Sequence, residues 1–320
     1  MKFFRLLFLL FLIAGLSVTA YATQLLIPGG QVIGLELQDN TVTVIAFDET
    51  LGCAAKAAGL REGDRILMID KTHITCAADV RKALAVSDGQ VEVQILRGEK
   101  TKKLSFAPAA TGDGPKLGVY LRQGTTGIGT VTYYHPQGQD FAALGHGVNS
   151  QKGELLKITA GSVYQAQVAA VKKGSIGDPG QLIGQLTDPE AYGTIGKNTE
   201  QGIFGKLEAK APAEPLPIAT QAEIHPGKAT IRSTVEGSEL REYSVEILKV
   251  YTGSHDRSRN MLLKVTDPAL LSVTGGIVQG MSGSPIIQDG KLIGAVTHVL
   301  VNDPTTGYGI FIENMLDAAA

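Results

Sequence analysis

The chain predicts a mainly β protein of two domains behind an export segment, and three observations predict it. Thirty-nine glycines punctuate its 320 residues, and the runs between them are short and rich in Val, Ile and Thr. Glycine supplies the positive φ of tight turns, and β-branched side chains suit a pleated sheet. Helical signals are confined to two stretches in the first third, Cys53 to Ala58 and Cys76 to Val86. A chain this long buries one or two cores without help from disulfides or metals.

At the amino terminus, Lys2 and Arg5 precede an apolar stretch from Leu6 to Val18 and the small-residue frame Ala20-Tyr21-Ala22. Residues 1–22 therefore read as an export signal, cleaved after Ala22 or kept as an anchor. The formal net charge is -2, with no run of five like charges. That leaves no electrostatic footprint for nucleic acid and no polybasic membrane patch, so the expected partners are proteins or peptides. Cys53 and Cys76 read as two small, half-buried apolar residues rather than a bridge. No CxxC, HExxH or His/Cys cluster is present, so no metal or other cofactor is expected.

From Ile27 the order is a glycine loop, a strand, an Asp39-Asn40 turn and a second strand. A short helix closed by Gly59, the phrase "AAGLREGDRILMID", an amphipathic helix and the strand "VEVQILRG" follow. This succession resembles a PDZ domain, over about residues 27–107. The resemblance implies an α+β module that adds a peptide to an open strand edge beside a helix. By that reading Gly34, Leu35, Glu36 and Leu37 form the edge, and Val80 and Leu84 lie on the groove helix; the alternative is a module that packs on its neighbour and gates it. "APAATGDGP" makes residues 108–115 a turn-prone linker, and 116–320 the second domain. Its short runs between Gly, Pro, Asn and Asp suit a sandwich or barrel. The stretch from Gly174 to Gly205 is too polar for core strands and is expected to lie over a surface.

The chemistry centres on "GGIVQGMSGSPIIQDGKLIGAVTHV", Gly275 to Val299. Glycines let the backbone fold closely around Ser282, and the amides of Gly280 and Ser282 are placed to receive an oxyanion. An Asp289-Gly290 hairpin turn then leads into a strand. The succession resembles the nucleophile region of chymotrypsin-like serine peptidases, which implies that Ala295, Val296, Thr297, His298 and Val299 pair with bound peptide. Met281 stands where that pattern often has an acid. Ser284 fits a packing role. A serine needs a base, and among six histidines His146, between glycines in "FAALGHGV", precedes Ser282 by 136 residues. His135 is its rival. Asp267, 15 residues before the serine, reads by itself as an Asp-Pro turn residue.

The export segment, the PDZ-like module, "YYHPQGQDFAALGHGV" and the long closing phrase through "GYGIFIENML" together resemble the stage IV sporulation protein B family of serine peptidases. The resemblance implies a mainly β fold, a PDZ domain followed by a chymotrypsin-like double β-barrel. It places the family's base on His146, its nucleophile on Ser282 and its acid on Asp267, with Asp178, Asp188 and Asp140 as other carboxylates. It further implies export to the space between the forespore and mother-cell membranes. There the family cleaves itself and a membrane-bound regulatory subunit of an intramembrane metalloprotease complex, so that pro-sigma-K is processed; a PDZ peptide ligand is expected, its own chain being one candidate. An inactive PDZ adaptor, a general envelope protease and a serine–lysine mechanism are the alternatives.

Overall fold

The computed structural model describes residues 24–150, 153–208, 213–253 and 257–320; the export segment expected at 1–22 lies outside the described residues. After β1 (Leu25–Pro28), β2 runs unbroken from Val32 to Phe47. The turn expected at Asp39-Asn40 is instead an irregularity inside this strand, where pairing with β9 (Val119–Tyr134) slips between Leu37 and Val42. Side chains alternate across a strand, and the slip moves the buried set from Ile33, Leu35 and Leu37 to Val42 and Val44. Two cores result. The first three residues pack in one with Val131, Phe141, Val163 and Ile203, and the last two in another with Ile66, Val93, Ile95 and Phe106. Opposite the slip, Gly124 has a φ of 76° and lies so close to β2 that a Cβ there would meet Leu37 O at 1.8 Å.

The second core belongs to the PDZ-like unit. It contains α1 (Cys53–Ala57), β3 (Arg65–Ile69), β4 (Thr72–His73), α2 (Ala77–Ala85), β5 (Val91–Arg97) and β6 (Lys100–Phe106), with β2, β3, β5 and β6 adjacent in that order. The linker expected at 108–115 is folded: β7 (Ala109–Thr111) and β8 (Gly114–Lys116) pair as a hairpin around the turn Gly112-Asp113. What joins the unit to the rest is the β2–β9 pair itself.

Beyond the slip, β2 and β9 enter a closed barrel with β10 (Asp140–Ala143), β11 (Ile158–Lys172), β12 (Gln181–Thr199) and β13 (Gly202–Leu207), in the order β2–β9–β10–β13–β12–β11 and back to β2. The polar stretch expected to cover a surface is thus largely a barrel strand. It reads as polar because much of β12 is exposed, while Leu182 and Ile195 are buried. After β14 (Leu216–Pro217), a second closed barrel comprises β15 (Gly227–Glu236), β16 (Glu239–Val250), β17 (Met261–Val265), β18 (Pro285–Gln288), β19 (Lys291–Leu300) and β20 (Asp303–Phe311). Its neighbour order repeats that of the first. Helix α3 (Pro268–Thr274) precedes the nucleophile turn, and α4 (Ile312–Ala319) closes the chain. Leu26 of β1 and Tyr133, Ala142 and Phe204 of the first barrel share a buried cluster with Ala295 and Ile310 of the second and Met315 of α4.

In the PDZ-like unit the phrase "REGDRILMID" places Asp64 at 1% exposure, where it takes a two-pronged pair of hydrogen bonds from Arg97 at 2.7 and 2.6 Å and a third from Arg61 N at 2.8 Å. Removing Asp64 takes the acceptor from the Arg97 guanidinium, itself 24% exposed, and from Arg61 N at the start of this turn. Asp64→Ala is expected to destabilise the protein by about 3 kcal/mol in chemical denaturation, with the loss concentrated in hydrogen exchange of β3 and β5.

Candidate active site

The nucleophile turn begins where α3 ends in the left-handed Gly275. Gly280 and Gly283 also take positive φ, 98° and 99°. At Gly283 the need is steric as well, because a Cβ would meet Thr130 O at 2.0 Å. Thr130, fully buried on β9, fastens this turn across the barrel boundary. Its N–H donates to Ser282 O at 3.1 Å, its hydroxyl donates to Gly280 O at 2.7 Å, and its carbonyl accepts Leu144 N at 3.2 Å. Gly283 N donates to Val296 O, whereas the amides of Gly280 and Ser282 donate to no other group among the described residues. Met281 points into the second barrel's core at 0% exposure. Ser284 is equally buried, bonded to Met281 O and Ser233 Oγ.

Ser282 is half-buried, and its hydroxyl donates to Thr297 O at 2.7 Å. Reaching a base requires rotation about its Cα–Cβ bond, a tightening common as an active site fills. The histidine turn is strained: Leu144 has a φ of 72°, rare for a branched side chain, and Gly145 follows at 68°. A Cβ on Gly145 would meet Thr297 Cγ2 at 2.9 Å, so the bend presses against β19. It delivers His146 to the boundary, with its ring 5.2 Å from that of His298. His146 Nδ1 lies 2.9 Å from Gly147 O. A carbonyl only accepts, so Nδ1 carries the hydrogen and Nε2 keeps the lone pair a general base needs. Burial, the main influence, holds the pKa of His146 below the ordinary histidine value, partly countered by the Gly147 bond.

His146 and Ser282 open into one cleft of about 490 Å³ between the barrels. Its walls include Leu35, Leu37, Ile128, Leu144, Val278 and Val299, and among the described residues no Asp, Glu, Lys or Arg lines it. Asp267 is not brought to His146. As N-cap of α3 it accepts Ala269 N and Leu270 N through one oxygen and Ser244 N through the other, so both oxygens are committed to the helix start and to β16. Nor do the other carboxylates line the cleft: Asp178 pairs with Lys172, Asp188 caps its own turn at Glu190 N, and Asp140 borders a different hollow together with His135.

Two strand assignments change. Ala295 and Val296 are occupied on both edges, by β20 and by Pro285 and Ser284. Of the five residues expected to pair with substrate, Ala295 and Val296 are thus excluded, which leaves Thr297, His298 and Val299. Gly34, Leu35, Glu36 and Leu37 pair with β11 on one side and β9 on the other. They offer no edge to a peptide, and Leu35 and Leu37 line the catalytic cleft instead. Val80 and Leu84 do line a groove, but its strand is Val119–Leu121 of β9, approached through Lys116, Leu117 and Gly118. The signal overlooked was apolar-Gly-apolar at Leu117-Gly118-Val119, where Gly118 has a φ of 68°.

The model of the SpoIVB peptidase S55 family matches residues 114–316, more than half the chain, and a PDZ domain model matches residues 31–107. The chain belongs to the SpoIVB peptidase S55 family. It is a serine endopeptidase with a PDZ domain and a chymotrypsin-like peptidase fold. No curated protein matches. Among solved structures, the active form of the Rv3671c protease from M. tuberculosis is 14% identical, with 60% of this chain and 72% of that one covered and a TM-score of 0.38. The structure of GrC is 13% identical, with 61% and 86% covered and a TM-score of 0.36. Likeness at that level carries no weight for the S55 peptidase's site, which is drawn from the geometry above.

Two outcomes are expected. Because burial disfavours the imidazolium, His146 stays neutral to more acid pH than a free histidine, so kcat/KM should fall only below about pH 6.5 and stay level through neutrality; a pH–rate profile on a peptide substrate reads this directly. Asp267→Asn should keep turnover within a few-fold, and Asp267→Ala should cost about 1 kcal/mol as a lost helix cap, measured as a lower Tm with turnover per folded molecule retained.

Proposed function

We propose that this S55 peptidase is an exported signalling endopeptidase in which Ser282 is the nucleophile and His146 the base. The observation that carries this is their convergence, from two barrels, on one cleft beside the uncommitted amides of Gly280 and Ser282. A peptide pairing with Thr297–Val299 competes for Thr297 O with the serine hydroxyl, which then turns to His146 Nε2. Nε2 takes the proton as Oγ attacks the scissile carbonyl, and the two amides hold the oxyanion. The imidazolium returns the proton to the leaving amine, and water, deprotonated by the same nitrogen, releases the acyl group. The uncharged walls of the cleft fit substrates with apolar residues around the scissile bond.

The finer reading is supported by the family match and by the export segment in the sequence. The enzyme acts in the space between the forespore and mother-cell membranes, cleaving itself and a membrane-bound regulator of an intramembrane metalloprotease. Incubating wild type, Ser282→Ala and Ser284→Ala and mapping new termini by mass spectrometry tests it. Ser282→Ala should yield no self-cleavage, while Ser284→Ala should keep the same cut sites at reduced stability. New termini in Ser282→Ala matching those of wild type would remove the nucleophile assignment.

A further inference from the structure

Among the described residues no carboxylate lines the cleft to orient His146, yet its ring is held, and the group that holds it is a peptide bond. The carbonyl of Gly147 accepts from His146 Nδ1, and the same peptide unit carries the N–H of Val148, which donates to Asn198 Oδ1 at 2.9 Å. Asn198 Nδ2 donates at 2.8 Å to Val148 O and at 2.8 Å to Leu156 O. The side-chain amide thus closes a ring of two hydrogen bonds with Val148 and ties it to the far end of the loop, where Leu156 N also reaches Val148 O. Two carbonyl acceptors and one N–H donor fix which end of the amide is which. Aspartate lacks the donors, and serine lacks the reach.

We propose that Asn198, near the end of β12, is a positioning residue for catalysis: it clamps the Gly147–Val148 peptide so that its carbonyl keeps His146 in the Nδ1–H tautomer, the role a carboxylate fills in a Ser-His-Asp triad. A peptide carbonyl carries a partial charge, so it orients the ring as an acid does but stabilises the imidazolium less. Gly147 has to be glycine for this contact, since a Cβ there would meet Thr199 O, on the residue after Asn198, at 2.6 Å.

The proposal rests on His146 being the base, and the test separates the two. The probe is an alkyl fluorophosphonate reacting at Ser282 in the full chain. Asn198→Ala should lower its maximal labelling rate by about 10- to 100-fold, by analogy with the loss when a partner that orients a metal-bound histidine is removed, with half-saturation little changed. In a His146→Ala background the same substitution should have no further effect. Nitrogen-15 spectra of the histidines in wild type should show His146 as the Nδ1–H tautomer, and in Asn198→Ala a mixture. Labelling in Asn198→Ala within twofold of wild type, an equal loss in the His146→Ala background, or an Nε2–H tautomer in wild type would overturn the role of Asn198. The wild-type spectrum decides even if the variant does not fold. Labelling of His146→Ala at the wild-type rate would instead remove the base assignment itself.

Discussion

Thr130 is where the two barrels become one enzyme. Its amide and hydroxyl donate to carbonyls of the nucleophile turn, and its own carbonyl accepts the amide that starts the histidine turn. It thereby ties the turn that carries Ser282 directly to the turn that carries His146. The glycines around the site follow from the same contact: Gly283 has no room for a side chain because Thr130 O is there. The strained Leu144 persists because a hydrogen bond to Thr130 on one side and the packing of Gly145 on β19 over-determine it.

How much of this could be read in the sequence depends on the range over which each feature is specified. The nucleophile turn was legible because the backbone alone demands Gly280, Gly283 and the Asp289-Gly290 turn. His146 was legible for a similar reason, since the bend that presents it needs small neighbours. Asp267 was not, because an aspartate before proline looks the same whether it caps a helix or orients a ring, and only the fold shows its oxygens spent on Ala269, Leu270 and Ser244. The strand edge for a peptide was misplaced because β2 reads as two strands with a turn, while a slip of three residues, an odd number, keeps it continuous and hands each half to a different core. Asn198 gave no local signal, because its partners are fifty and forty-two residues away.

The site is also electrically quiet. Among the described residues no formal charge lines the cleft, so in the proposed reaction the field on the reacting atoms comes from oriented amides and carbonyls: the Gly280 and Ser282 N–H groups on one side and the Gly147 carbonyl on the other. Such dipoles are fixed by folding and need no reorganisation as charge develops. Burial that lowers the pKa of His146 works in the same direction, keeping the base unprotonated at rest.

The PDZ unit leaves the first barrel on two paired strands instead of a single thread. A ribbon of this kind bends and twists but does not swing, so the unit cannot search space as a tethered module does. The groove at Val119–Leu121 and the cleft at Thr125–Ile128 lie along one strand, which advances ~3.3 Å per residue. From Leu121 to Ile128 that is roughly 20 Å, set by a residue count in β9. The strand is in effect a ruler: it sets the groove and the cleft of Ser282 at a spacing written into the backbone.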